Sequence, residues 1–165
     1  MHALAVLLAA LSAVAVALAA GPELPAGPDL PPDPDPSPEL TPTQVIRIQV
    51  EALRTNDEPR EDAGIALAFR FASPGNRSVT GPLSRFKAMV HRGYADMLGF
   101  DYAEYGPLRV EGDQAAQRVT LVQADGRRST YLFGLSRQRG GPCDGCWMTD
   151  AVMPAPPVSN GQSQI

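Results

Sequence analysis

The sequence predicts an α+β domain in which three amino-terminal helices pack on a curved antiparallel sheet of about four strands. Apolar residues recur with a helical period before residue 94 and with the two-residue period of strands after residue 107. The pair Asp125-Gly126 lies between two alternating segments and is a strong signal for a tight hairpin. Because the helices precede the strands, the order favours α+β over a parallel βαβ fold.

The first twenty residues, MHALAVLLAALSAVAVALAA, carry no charged side chain and end in small residues. This pattern is typical of a secretory signal peptide, with cleavage expected after Ala19 or Ala20. An uncleaved membrane anchor is the alternative, because the apolar run is just long enough to span a bilayer. We therefore expect a periplasmic or secreted protein that contacts the membrane only if the signal segment stays in place.

Residues 21–42 contain nine prolines and five acidic side chains with no basic one. Such a segment cannot bury enough apolar surface to offset the entropy of ordering, so we predict a disordered linker. The folded domain is expected over residues 43–153, followed by a disordered tail over residues 154–165. Without the five acids the chain is nearly neutral, which argues against a nucleic-acid partner. Lys87 is the only lysine beside many arginines, as a GC-rich bacterial coding bias would produce.

Helix one is predicted to begin at a capping sequence. Thr41 and Gln44 can satisfy each other's backbone amides, and Pro42 suits the first helical position. The helix is expected to end at Asn56-Asp57, where Asp57 also offers a cap for the next helix. Helix two is then predicted over Glu61 to Phe71.

A Pro- and Gly-containing corner, Ser73 to Asn76, is predicted to break helix two, because the residue before proline avoids the helical region. Helix three is expected to open at Thr80 to Pro82. Gly93 is expected to end it as a left-handed C-cap. Tyr94 to Phe100 is predicted to be a short turn or an irregular helix.

Four later segments alternate as strands do: Leu108–Glu111, Ala116–Gln123, Ser129–Arg137 and Cys146–Met153. We expect them to form an antiparallel meander. One face would collect the apolar side chains of Val119, Leu121, Tyr131, Phe133 and Leu135. Because the helices are the available cover, this face should form the core.

Two stretches, FRFASPGNRSVTGPLSRFKAMV and the closing GCWMTDAV, resemble a family of bacterial and plant proteins, the domain of unknown function 4864 (DUF4864) family. The resemblance covers about Thr43 to Met153. Its most specific pieces are the Phe71-Ala72-Ser73-Pro74 corner with Asn76, Gly81-Pro82-Leu83, and the helix face from Phe86 to Val90. This family has no established activity, so the resemblance implies a fold and no catalytic residue.

More distantly, the order of helices and sheet is similar to the nuclear-transport-factor-2-like superfamily. That resemblance implies a cystatin-like cone of helices and bent sheet, whose mouth often holds a ligand or an active site. Thr149 departs from it, since an aliphatic residue is more usual there.

Cys143-Asp144-Gly145-Cys146 is the most reactive motif in the sequence. In an exported protein, two nearby cysteines favour a disulfide between Cys143 and Cys146, with redox exchange or metal binding as alternatives. Two thiolates supply half of a zinc site, and His91 is the only histidine beyond the signal segment. We therefore expect no metal and no cofactor.

Two side chains are weak candidates for proton transfer, His91 and Asp150. A cation facing the negative end of a helix is the favoured alternative for His91. Arg70 stands out in an apolar helix and needs a carboxylate or a water-filled pocket. Glu104 or Asp150 is the expected partner.

The candidate ligand-binding residues combine apolar bodies with polar tips: Arg70, Tyr94, Tyr105, Tyr131 and Trp147. The alternative is that most of these aromatic side chains belong to the core.

The leading hypothesis is an exported, non-catalytic binding or interaction module. It would hold a small apolar ligand between sheet and helices, or associate as a homodimer through the sheet. One alternative is an enzyme of the isomerase or dehydratase type, acting on a small hydrophobic molecule with a tyrosine as proton donor. Another is an accessory factor tethered to the cell envelope.

Overall fold

The computed structural model describes residues 34–156. Within these residues the fold is α+β, with four α-helices, one short 3-10 helix and a five-stranded antiparallel sheet. The helices are α1 (Pro42–Arg54), α2 (Ala63–Arg70), α3 (Pro74–Thr80) and α4 (Leu83–Gly93), with the 3-10 turn at Ala95–Met97. The strands are β1 (Tyr102–Tyr105), β2 (Arg109–Glu111), β3 (Gln114–Val122), β4 (Arg128–Arg137) and β5 (Trp147–Pro154).

The predicted fold class and the antiparallel sheet are confirmed, whereas the predicted numbers of helices and strands are each one short. The predicted signal peptide lies outside the described residues, as do most of the linker and of the tail. Between residues 34 and 156, no helix has the length and apolar character needed to cross a membrane.

Helix α1 is the central helix of the core. Its predicted cap is confirmed: Gln44 N donates to Thr41 Oγ1 (3.3 Å), and Thr41 N donates to Gln44 Oε1 (2.9 Å). One side of the helix is almost completely buried, with the side chains of Val45, Ile46, Ile48, Gln49, Val50 and Leu53. This apolar stripe packs on the inner face of the sheet and on α2.

Helix α2 begins later than predicted, at Ala63, and its N-cap is Asp62 in a left-handed conformation (φ 58°), not Asp57. The Asp57 carboxylate instead accepts a hydrogen bond from Asp62 N (3.0 Å) within the connecting turns. Helices α1 and α2 approach closely at Gly64, where an added Cβ would lie 1.9 Å from the carbonyl oxygen of Ala52. A glycine is therefore required at this contact.

The predicted break at Ser73 to Asn76 is correct, but the same residues also start a helix that was not predicted. Ser73 Oγ accepts a hydrogen bond from Asn76 N (3.1 Å), and Pro74 occupies the first helical position of α3. Gly81, with φ of 81°, then separates α3 from α4. The prediction that Gly93 is a left-handed C-cap is wrong. Gly93 is the last residue of α4 and its φ is not positive, and Tyr94 is the C-cap.

The strand order is β1-β3-β4-β5, and β2 also pairs with β3. The predicted hairpin between β3 and β4 turns at Asp125-Gly126, with Gly126 at φ of 84°. The predicted inner face is confirmed, with Val119, Leu121, Tyr131, Phe133 and Leu135 all no more than 5% exposed. Strand β1 was missed because its four residues, YAEY, have no clear apolar alternation.

Strand β5 also contacts the corner between α2 and α3. Thr149 N donates to Phe71 O (2.8 Å), and Ser73 N donates to Thr149 O (2.9 Å), which forms a short parallel bridge at Ala72. The β4–β5 register shifts between Gly134 and Leu135, because Asp150 has no partner on β4, as in a β-bulge. The helical layer is thus attached to the last strand by backbone hydrogen bonds.

Residues 34–40 precede α1 and lie against the domain. Asp35 pairs with Arg70 (3.0 Å), and the thiol of Cys143 is 4.0 Å from the carbonyl oxygen of Pro36. Pro38 lies beside Gly145, since a Cβ at Gly145 would be 3.4 Å from the Cβ of Pro38. This segment therefore connects α2 with the loop before β5.

We expect Gly64→Ala to lower the free energy of unfolding by about 3 kcal/mol, because the added methyl group would overlap rigid backbone atoms of α1. Chemical denaturation of the variant and the wild-type protein measures the difference. Gly93→Ala is the matched control, because no atom lies within 4 Å of its added Cβ. It should leave stability unchanged or raise it by up to about 1 kcal/mol. Equal losses in both variants would contradict the close approach of α1 and α2.

Candidate functional site

A cavity of about 260 Å³ lies between the four helices and strands β4 and β5. Its walls are mainly apolar, with Leu53, Phe86, Met89, Met97, Phe133 and Val152 among the lining side chains. The cavity is open on one side, where exposed residues of α3 and β5 border it. A concave apolar site with a few polar groups is the usual form of a small-molecule site.

Three uncharged polar side chains form the floor of the cavity: Gln49, Asn76 and Thr149. Gln49 and Thr149 are buried, with 4% and 2% of their surface exposed. Gln49 Nε2 donates to Thr149 Oγ1 (2.8 Å) and to Val45 O (3.1 Å). Asn76 Nδ2 donates to Thr149 O (3.1 Å). The floor is therefore a hydrogen-bonded, neutral network fixed to α1, α3 and β5.

Val79 and Asp150 form the mouth of the cavity. Val79 is 77% exposed although its side chain is large and apolar, and Asp150 is also exposed. Among the described residues that line the cavity, Asp150 carries the only charge at neutral pH. The mouth is therefore acidic while the interior is neutral.

Of the five side chains predicted to bind a ligand, Tyr94 is the one that lines this cavity. Its hydroxyl donates to Val152 O (3.2 Å), and its ring lies 6.0 Å from the ring of Tyr131. Tyr131 is buried behind Tyr94, and this burial raises the pKa of its hydroxyl. Trp147 packs against the core and does not reach the cavity.

Tyr105 packs elsewhere, on the inner side of β1 beneath α1. The guanidinium of Arg47 lies 4.7 Å from the centre of its ring. Its hydroxyl is buried and has no hydrogen-bond partner among residues 34–156. Burial raises the pKa of Tyr105 to about 12. The residue therefore belongs to the core and not to the cavity.

Arg70 is also outside the cavity, and it borders a second, more polar depression of about 660 Å³ beside α2. The expectation that Glu104 or Asp150 would pair with it is wrong, because Arg70 Nη1 bonds Asp35 at 3.0 Å. Glu104 instead pairs with Arg128 across the sheet, and Asp150 stands at the cavity mouth. Asp35 was missed because its segment was predicted to be a disordered linker.

His91 lies on the outer side of α4, where its Nε2 is 2.8 Å from Asp62 Oδ1. Lys87 is 3.5 Å from the other oxygen of the same carboxylate. Partial burial acts to raise the pKa of Asp62, but hydrogen bonds from Asn56 and His91 and the charge of Lys87 together lower it. His91 and Asp150, the two predicted proton carriers, are therefore not brought together, and only Asp150 lines the cavity.

Cys143 and Cys146 are both free in this structure, so the predicted disulfide is not formed in it. Cys146 is buried and Cys143 is partly exposed. Burial, together with the neighbouring Cys143, raises the pKa of the Cys146 thiol to about 12. No group of three or more histidine, cysteine or acidic side chains within residues 34–156 is arranged to hold a metal ion.

The floor of the cavity was not predicted. Gln49 carried a usable signal, because it lies three residues after Ile46 and four before Leu53 on the buried face of an otherwise apolar helix. A polar side chain at such a position needs a buried partner. That the partner is Thr149, one hundred residues further along the chain, is a property of the fold.

Comparison with protein families finds a match to the family model described as Domain of unknown function (DUF4864), over residues 37–157. The comparison with curated proteins finds no match, and neither does the comparison with solved structures.

We expect Asp62→Asn to lower the free energy of unfolding at pH 7 by about 1 kcal/mol or more, because it removes a charge that three neighbouring groups stabilise. Asparagine is tolerated at the left-handed backbone of residue 62, so the change isolates the charge. A carboxylate with a lowered pKa stabilises the fold above its unfolded pKa of about 3.9, and this contribution is lost as the pH falls through the folded pKa.

The measurement is denaturant unfolding of both proteins from neutral to acidic pH. The difference in the free energy of unfolding between the wild-type protein and Asp62→Asn should become smaller as the solution is acidified. Asp101→Asn, at an exposed carboxylate, is the control and should change the free energy of unfolding at neutral pH less than Asp62→Asn does. If Asp62→Asn were destabilised by the same amount in acid as at pH 7, the charge interactions of the Asp62 carboxylate would be contradicted.

Proposed function

The chain belongs to the DUF4864 family, and on that premise we propose that its domain is a non-catalytic module that binds a small apolar molecule. The observation that carries the proposal is the cavity of about 260 Å³ between the helices and the sheet. Protein interiors are normally packed as densely as organic crystals, so an open apolar space of this size beside a tightly packed core is suited to an apolar ligand. Its opening at Val79 and Asp150 gives a ligand a route of entry.

The size of the cavity fits a small ligand. An apolar cavity of about 150 Å³ binds benzene. A cavity of about 260 Å³ therefore suits a molecule of about ten non-hydrogen atoms, such as a two-ring aromatic or a short alkyl chain. The apolar walls offer such a molecule burial of most of its surface.

The positions of the two proton-carrier candidates favour binding over catalysis. His91 is held by Asp62 on the outer side of α4, away from the cavity. Asp150 is exposed to solvent, where its charge is screened. General acid-base catalysis needs a group within hydrogen-bond reach of the reacting atom in a protected site. The interior of the cavity offers neutral amide and hydroxyl groups instead.

The finer fold assignment, to the nuclear-transport-factor-2-like superfamily, is part of the proposal. Helices that precede an antiparallel sheet and cover one of its faces support it, as does the β-bulge between β4 and β5. An experimental structure that superposes on that superfamily over the whole sheet would test this assignment.

Export is also part of the proposal. A disulfide in the cysteine pair would indicate that the protein has reached an oxidising compartment. Cys143 and Cys146 lie in one turn, with Cys146 N donating to Cys143 O (3.0 Å) and the two thiols next to each other, so an oxidant could join them. The expected product is a disulfide, with the two thiol hydrogens passing to the oxidant. Intact mass of the protein from its native cells tests both points, through the loss of residues 1–20 and of two hydrogen atoms.

Ala68→Leu should weaken ligand binding without destabilising the fold. Ala68 lines the cavity and is 6% exposed, so the longer leucine side chain would extend into the empty space. We expect the affinity for naphthalene, measured by fluorescence titration, to fall about tenfold or more. The free energy of unfolding should stay the same or rise, because the leucine fills space that is otherwise empty.

Ile65→Val is the matched control, because Ile65 is fully buried in α2 but does not line the cavity. It should lose about 1 kcal/mol of stability and keep the affinity of the wild-type protein. If the wild-type protein does not bind naphthalene, or if both variants bind it equally well, the cavity is not a binding site.

A further inference from the structure

We infer that the cavity selects neutral amphiphiles, molecules with an apolar body and one uncharged hydrogen-bonding group, over carboxylates of the same shape. The inference rests on the proposed binding function and specifies its ligand class. The cavity is lined by mainly apolar side chains, by the buried neutral groups of Gln49 and Thr149, and by the exposed acidic residue Asp150. Such a lining should bind a neutral ligand more tightly than an anionic one.

The floor can both accept and donate a hydrogen bond. Gln49 Nε2 uses its two hydrogens on Val45 O and Thr149 Oγ1, which leaves the carbonyl oxygen of the Gln49 side chain as an acceptor. Thr149 Oγ1 accepts the bond from Gln49 and keeps its own hydrogen to donate. A hydroxyl or amide group of a ligand matches this pair. An apolar ligand of the same size would leave both groups without a new partner.

Among the described residues, the cavity lining offers no cationic side chain that could pair with the carboxylate of a ligand. No lysine, arginine or histidine between residues 34 and 156 lines it. Three cations on the neighbouring helices have partners outside the cavity: Arg77 bonds Arg70 O (2.7 Å), and Lys87 and His91 contact Asp62. Burial of an ionised group without a partner is strongly unfavourable.

The negative charge of Asp150 at the mouth should also repel anionic ligands. Asp150 is the acidic residue among the described residues that line the cavity; it is exposed, and it also borders a neighbouring depression with Arg109 and Glu111. Like charges at a few ångströms repel, and this repulsion is reduced but not removed at an exposed position. An anionic head is therefore disfavoured at the floor by desolvation and at the mouth by Asp150.

Three two-ring probes of matched shape test the inference on the full-length chain at neutral pH: naphthalene, 2-naphthol and 2-naphthoate. Fluorescence titration should show 2-naphthol binding about tenfold more tightly than naphthalene, the size expected for a hydrogen bond in a buried site. The protein should bind 2-naphthoate more weakly than it binds naphthalene or 2-naphthol. Binding of none of the probes would overturn the proposed function itself, whereas naphthoate binding as tightly as naphthol would overturn only the selectivity.

Two variants separate the floor from the mouth. Asp150→Asn should raise the affinity for 2-naphthoate roughly fivefold and leave 2-naphthol unchanged, as expected for loss of one exposed charge. Thr149→Val keeps the shape and the backbone bonds of residue 149 but removes the hydroxyl donor of the floor, and should lower the affinity for 2-naphthol towards that for naphthalene. Unchanged naphthoate affinity in Asp150→Asn would overturn the role of the mouth. Should Thr149→Val not fold, Gln49→Met removes the acceptor of the floor instead, and an unchanged preference for naphthol in that variant would overturn the role of the floor.

Discussion

The hydrogen bonds around Thr149 are the interaction on which the rest of the structure depends. The backbone of this residue bonds Phe71 and Ser73, and its carbonyl oxygen and hydroxyl also accept bonds from Asn76 and Gln49. One residue of the last strand is thereby fixed to α1 and to the corner that leads into α3. With this corner fixed to β5, α3 and α4 border an open space above the sheet instead of packing flat on it.

Much of the fold was predictable because its signals are local. The Thr41–Gln44 cap, the strand alternation of β3 and β4 and the Asp125-Gly126 turn each depend on residues a few positions apart, and all three are confirmed. The corner at Ser73-Pro74 shows the limit of such signals. Proline after serine indicates the end of one helix and equally the N-cap of the next, and the sequence alone does not distinguish the two.

The candidate site was harder to predict, because it depends on pairs that are far apart in the sequence. Thr149 was noted as an unusual residue for its position, but its partner Gln49 could not be inferred without the fold. Aromatic side chains with polar tips were predicted to line the site, yet Tyr105 and Tyr131 belong to the core. Composition shows which side chains can form a mixed surface, whereas packing decides where space remains. The pairing of Arg70 with Asp35 was missed for the same reason, since the acid came from a segment with no pattern of its own.

The segment of residues 34–40 has a mechanical consequence for whatever precedes the domain. A pulling force applied before residue 34 meets the Asp35–Arg70 ion pair first, then the contacts of Pro36 and Pro38 with the loop before β5, and only afterwards the first turn of α1. The ion pair is exposed and weak, so it would yield before the helix is loaded. The contacts of residues 34–40 would therefore break before the first turn of α1 when the chain is pulled from the amino-terminal side.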